Sequence, residues 1–151
     1  MKATLFIRKD HERVNELFEK FQKSKTSAQN GKRAVFNEIR KELTIHSNLE
    51  TELFYPELRM STSEKAEGLV QAATQEHEKI EKLLDEIALI GNNEKQFDAR
   101  VSELIETVNA HIQEEEDVIF PEARETLTEQ RLEELGLEME TRKRILMQVA
   151  A

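Results

Sequence analysis

His46-Ser47-Asn48-Leu49-Glu50-Thr51-Glu52-Leu53-Phe54-Tyr55-Pro56 and His111-Ile112-Gln113-Glu114-Glu115-Glu116-Asp117-Val118-Ile119-Phe120-Pro121 share one spelling, His-x3-Glu-x5-Pro, at an offset of 65 residues. On a helix, side chains four apart lie over one another, so each stretch stacks an imidazole on a carboxylate. A second pair extends the repeat: His11-Glu12-Arg13-Val14 with Leu17-Phe18 parallels His77-Glu78-Lys79-Ile80 with Leu83-Leu84, at an offset of 66. Two similar halves, each a helical hairpin with the same polar set, imply pseudo-twofold architecture.

Around these residues apolar positions recur in steps of three and four. The stripe reads Phe97, Val101, Leu104, Val108, His111, Glu115, Val118 in the last long helix and Leu69, Ala73, His77, Ile80, Leu84, Ile87 in the one before it. Val35, Ile39, Leu43, His46, Glu50 and Leu53 form a third stripe, and His11, Val14, Phe18 and Phe21 a fourth. All four histidines of the chain therefore face inward, with two glutamates beside them.

Turn and capping residues gather at Ser24 to Gly31, Met60 to Ser63, Gly91 to Asn93 and from Pro121 onward. They predict helices over about 3–23, 31–59, 62–90 and 95–122. Thr128 then caps a short helix ending at Gly136, and a last helix runs from Glu138 to Met147. The expected fold is all-α: an antiparallel up-down-up-down four-helix bundle over about 3–122, with short extra C-terminal helices over about 123–151. With 151 residues there is room for one domain. Four glycines and two prolines beside 35% charged residues suit long amphipathic helices better than sheets.

No cysteine is present, which excludes disulfides and thiolate metal sites and suits a reducing cytoplasm. Leu5-Phe6-Ile7 is too short an apolar run for a membrane span. The net charge of −9 opposes nucleic-acid backbones and anionic membranes and favours cations. Arg142-Lys143-Arg144 sits near a helix C-terminus, where cations complement the dipole, and needs no ligand. In the run Glu114 to Asp117 one candidate ligand stands among three solvated charges, with room for one of them to orient a histidine.

An isolated ionised carboxylate in an apolar core costs several kcal/mol unless it is paired or metal-bound. At ~1.5 Å per residue, the histidines of each helix pair lie at similar heights from their shared turns, so the six side chains converge within a helical turn. Four imidazoles and two carboxylates split by a pseudo-twofold axis suggest two ions sharing Glu50 and Glu115. Ligands of this type suit iron, manganese or zinc without choosing among them.

At these residues the sequence resembles the hemerythrin family, specifically the bacterial hemerythrin-like HHE cation-binding domains, over about residues 4–125. The resemblance is carried by Asp10-His11-Glu12, His46-x3-Glu50 with Tyr55-Pro56, Glu76-His77-Glu78, and His111-x3-Glu115 with Phe120-Pro121. It implies two non-haem irons, one bound by His11 and His46 and the other by His77 and His111. Glu50 and Glu115 bridge them alongside an oxo or hydroxo group. Oxygen-carrying hemerythrins have a further histidine on the third helix, spaced His-x3-His, whereas Ala73 and Glu81 flank His77 here. Glu81, Glu76 or water completes that iron, or the position stays open. The four-histidine set looks more like the di-iron domains of iron-sulfur cluster repair proteins and of the iron-sensing F-box protein.

The expected function is engagement of O2, NO or peroxide at an open iron position, in sensing, storage or detoxification. One alternative is an enzyme for peroxide disproportionation or NO reduction; another is an iron sensor or sequestration protein acting through a protein partner. Tyr55, the single tyrosine and the counterpart of Phe120 in the repeat, reads as a packing residue. Only in the enzymatic alternative is it a proton or electron donor.

Overall fold

The structure, a computed structural model, describes residues 1–24, 29–61 and 63–150. The chain is all-α, and no strand occurs among the described residues. Four long helices build the bundle: α1 (Ala3–Lys23), α2 (Gln29–Leu49), α4 (Glu64–Ala88) and α5 (Glu94–Glu114). Much of the first expected turn, residues 25–28, and the expected start of the third helix at Thr62 lie outside the described residues. Helix starts follow local chemistry where a cap is present. Ser63 Oγ accepts the Ala66 N–H at 3.1 Å, Asn93 Oδ1 the Gln96 N–H at 3.1 Å and Thr128 Oγ1 the Arg131 N–H at 3.0 Å. No helix of the described residues is long and apolar enough to cross a membrane.

The second and fourth helices end at Met60 and Thr126, close to the predicted 59 and 122, but each changes pitch on the way. α2 continues through a π-helical turn (Glu50–Phe54) into α3 (Tyr55–Met60), and α5 through a second π-helical turn (Glu115–Ile119) into α6 (Phe120–Thr126). In each, the amide of residue i bonds the carbonyl of i−5: Tyr55 to Glu50, and Phe120 to Glu115. The next residue is Pro56 or Pro121, which lacks an amide hydrogen and clashes with the carbonyl four residues earlier. The proline accommodates the wide turn and then opens a fresh α segment, where its missing donor does little harm. The repeated Glu-x5-Pro spelling thus corresponds to a repeated π turn.

The C-terminal region differs in detail from the two short helices anticipated on either side of Gly136. α7 (Glu129–Ala150) runs unbroken through that glycine and packs against α1 and α2. Gly136 is not a stop. A Cβ there would lie 1.9 Å from the Met1 carbonyl oxygen and 2.9 Å from the Ala3 amide nitrogen, so it permits backbone-to-backbone approach.

Two apolar clusters fill the bundle. One contains Val14, Phe18, Ile39, Leu84, Leu104 and Val108; the other contains Ile7, Leu49, Phe54, Val70, Ile119 and Phe120. His11 falls between Ile7 and Val14, and His111 between Val108 and Ile119, so the polar residues form a layer between the clusters.

Candidate metal centre

The structure brings all six predicted side chains into that layer. Each is buried, and Glu50 and Glu115 have no exposed surface. They form two quartets whose potential donor atoms lie within 4.8 Å of one another: His11, His46, Glu50 and Glu115; and Glu50, His77, His111 and Glu115. Both glutamates belong to both quartets. His11 Nε2 lies 3.1 Å from Glu115 Oε1, His46 Nε2 3.0 Å from Glu50 Oε1, and His77 Nε2 3.2 Å from Glu50 Oε1.

Each ring is held from behind. Nδ1 of His11 meets Glu116 at 2.7 Å, that of His46 meets Asp10 at 3.0 Å, and that of His111 meets Glu76 at 2.5 Å. Ser47 Oγ lies 2.9 Å from Nδ1 of His77. Such partners set ring orientation and leave the second nitrogen for the interior. Asp10, Glu76 and Glu116 complete five carboxylates around four imidazoles, an excess of negative charge that suits multivalent cations. Glu116 is the member of the Glu114 to Asp117 run that orients a histidine.

Without a cation these groups titrate against one another. Burial and the charge of Glu50 push the Glu115 carboxyl up. Burial also works against ionised Glu50, but the charge of His46 and the other close members of the cluster outweigh it and hold Glu50 well below the usual range. His46 loses from desolvation and gains more from Glu50 and Asp10, so its imidazolium persists well above the ordinary value. His111 is raised in the same way, chiefly by Glu76 against desolvation.

The orphaned atoms test whether a metal fits. His11 Nε2, His46 Nε2, both oxygens of Glu50 and Glu115 Oε1 are buried without a hydrogen-bond partner. Several lie near 3 Å from one another yet off one another's hydrogen-bond directions. Buried polar atoms left this way cost about 1–3 kcal/mol each, more when charged. A cation between them would satisfy the whole set, so the donors fit a metal.

Comparison with known proteins agrees. The family model of the Hemerythrin HHE cation binding domain matches residues 3–123. The chain belongs to this family. A solved HHE cation-binding domain-containing protein from Mycobacterium kansasii superposes with a TM-score of 0.86 at 26% identity, covering 99% of this chain and 90% of that one. A curated relative, named as a DNA nickase of Nostoc sp. (strain PCC 7120 / SAG 25.82 / UTEX 2576), is 32% identical over 142 residues. Those residues are 94% of this chain and 39% of the relative, so the chain spans about two fifths of that protein's length.

One group in this HHE domain does more than the packing that the sequence favours for it. Tyr55 packs, as expected of it, and is 2% exposed, but its hydroxyl also enters the polar layer. It donates to Glu115 Oε2 at 2.6 Å and lies 3.1 Å from His77 Nε2. Burial and the charges of Glu115 and Glu50 hold the phenol well above its usual pKa, so it keeps its proton in the metal-free protein. In an unbroken α-helix, at about 100° per residue, Tyr55 would lie on a different face from Glu50. The extra residue of the π turn brings the two together. Phe120, its counterpart, instead stacks on His11 with ring planes 3° apart, so the two half-sites differ.

Of the groups considered for the missing histidine, Glu76 is engaged behind His111, and Glu81 is an exposed residue at the edge of a small cavity. That cavity, about 30 Å³, reaches all four histidines and is walled by Val14, Leu43, Ile80, Leu84, Val108 and Ile112. A single water needs roughly 10–15 Å³ on this measure. The space suits one very small molecule.

Proposed function

We propose that this HHE domain is a non-haem di-iron protein that engages O2, NO or peroxide through the apolar cavity beside its histidines. His11 and His46 would hold one iron and His77 and His111 the other, with Glu50 and Glu115 available to both. The observation that carries this reading is the membership of both fully buried glutamates in both quartets, with acceptor oxygens left unpartnered. When bound, the pair of irons supplies redox-active positions for a small oxygen- or nitrogen-containing ligand.

The protein's own groups do the rest. Glu116, Asp10, Glu76 and Ser47 fix the rings, while the aliphatic wall excludes bulk water and larger molecules. Tyr55 stands in the half-site with one histidine fewer than the oxygen carriers, offering its hydroxyl as a further donor beside His77 and a proton beside Glu115.

The deciding measurement is iron per chain after expression with ample iron, for the wild type and for Glu50→Ala with Glu115→Ala. The expected result is about two irons per wild-type chain, lost in the double variant with the helices retained. Near-zero metal in a folded wild type overturns the reading. Steady consumption of peroxide or NO by the loaded protein favours the enzyme, and saturable binding without turnover favours sensing or storage.

The name of the Nostoc relative makes DNA cleavage worth one control. The buried donors, the small apolar cavity and the net charge of −9 all oppose approach of a phosphodiester backbone. The loaded protein is expected to leave supercoiled plasmid intact.

A further inference from the structure

α7 lies outside the four-helix bundle and contributes no side chain to either quartet among the described residues. One of its lysines nevertheless reaches inward. Lys143 Nζ lies 2.5 Å from Asp10 Oδ1 and 3.6 Å from Glu42 Oε2, between two carboxylate side chains that are only 7% and 9% exposed. Asp10 turns its other oxygen, Oδ2, to His46 Nδ1 at 3.0 Å, and His46 Nε2 faces Glu50 Oε1 at 3.0 Å. A continuous polar chain thus runs from the outer helix through Asp10 and His46 to a glutamate shared by both quartets.

We propose that Lys143 is a positioning residue for the metal centre, which makes the docked state of α7 a determinant of metal retention. Asp10 has two oxygens and two partners on opposite sides. Removing the ammonium leaves its outward oxygen buried without a partner, and the carboxylate relieves that by rotating away from His46. The imidazole then loses the acceptor that orients Nε2. Arg142, the neighbour of Lys143, provides the contrast: it pairs with Glu52 at 3.0 Å, both side chains substantially exposed, and does not join the chain to Asp10.

The inference rests on the di-iron reading above, and its test separates the two. Protein loaded anaerobically with Fe(II) is mixed with excess chelator and iron release is timed, for wild type, K143M, K143R, R142M, D10N and the K143M/D10N double variant. Direct histidine partners are typically worth about 10–100-fold in metal affinity, so one contact further out is expected to speed release by about three- to tenfold in K143M. K143R and R142M should release at close to the wild-type rate. Because the lysine acts through Asp10, K143M should add nothing in the D10N background. K143Q replaces K143M should the latter not fold. Wild-type release from K143M overturns the inference alone, as does an equal acceleration in the presence and absence of D10N, since the lysine would then only fasten the helix. A folded wild type that holds no iron overturns the di-iron reading and this inference with it.

Discussion

Tyr55 differs from Phe120 by one hydroxyl, and that atom sits among groups that need a cation. Its donation to Glu115 and its position beside His77 make it the donor through which the two half-sites become inequivalent. A phenol held above its usual pKa loses its proton only when a strong Lewis acid binds its oxygen, as ferric iron would, with the proton leaving to solvent. The oxidised, loaded wild type is therefore expected to show a visible phenolate-to-iron charge-transfer band that Tyr55→Phe lacks, with two irons retained. Identical spectra would leave Tyr55 a hydrogen-bond donor only. Protons also compete with the metal at His46 and His111, whose folded values are raised above 6.5. A raised value keeps the imidazolium populated as pH climbs past 6.5, so apparent Fe(II) affinity should increase steadily through and beyond that point. Chelator competition at a series of pH values checks this, and a flat profile above 6.5 would contradict it.

At the scale of the element, the His-x3-Glu-x5-Pro spelling carried more than its histidine and glutamate. The register of His46 with Glu50 and of His111 with Glu115 was legible because four-residue spacing places side chains on one face of any α-helix. The π turns were not legible, because hydrophobic periodicity reports only a drift in phase and a proline is ordinarily read as the end of a helix. The reach of the Tyr55 hydroxyl into the polar layer was hidden for the same reason: its face depends on the inserted residue, which no α-helical projection contains. Glu116, Asp10 and Glu76 each adjoin a predicted ligand in the sequence, yet their partners lie on other helices, so only the packed bundle could pair them. Replacing both prolines with alanine restores amides at 56 and 121 that can bond the carbonyls of Glu52 and Asp117 and close the wide turns. The expected outcome for Pro56→Ala with Pro121→Ala is unchanged helix content by circular dichroism, lower iron occupancy and a weaker tyrosine-dependent band. Full occupancy with an unaltered spectrum would show that packing around the glutamates, not proline, holds the turns open.

For the whole molecule, the bundle and its polar layer follow from two hairpins of like sequence, whereas the outer helix belongs to no repeat. Its amphipathic pattern is weak, and Gly136 reads locally as a terminator because glycine is the usual residue just past a helix end. The structure gives that glycine the opposite use. It lets α7 run close over the first residues of the chain, where the nearest atoms are backbone and cannot swing aside as a flexible side chain would. Gly136→Ala gains helix propensity worth up to about 1 kcal/mol, but the new methyl must displace the Met1–Ala3 backbone, an overpacking cost of about 1–3 kcal/mol. The second effect should win, lowering Tm by roughly 2–4 °C for each kcal/mol of net destabilisation in a protein of this size. Thermal unfolding of the metal-free protein measures it directly. A rise in Tm would mean that the N-terminal backbone yields easily and that α7 is not clamped at this point.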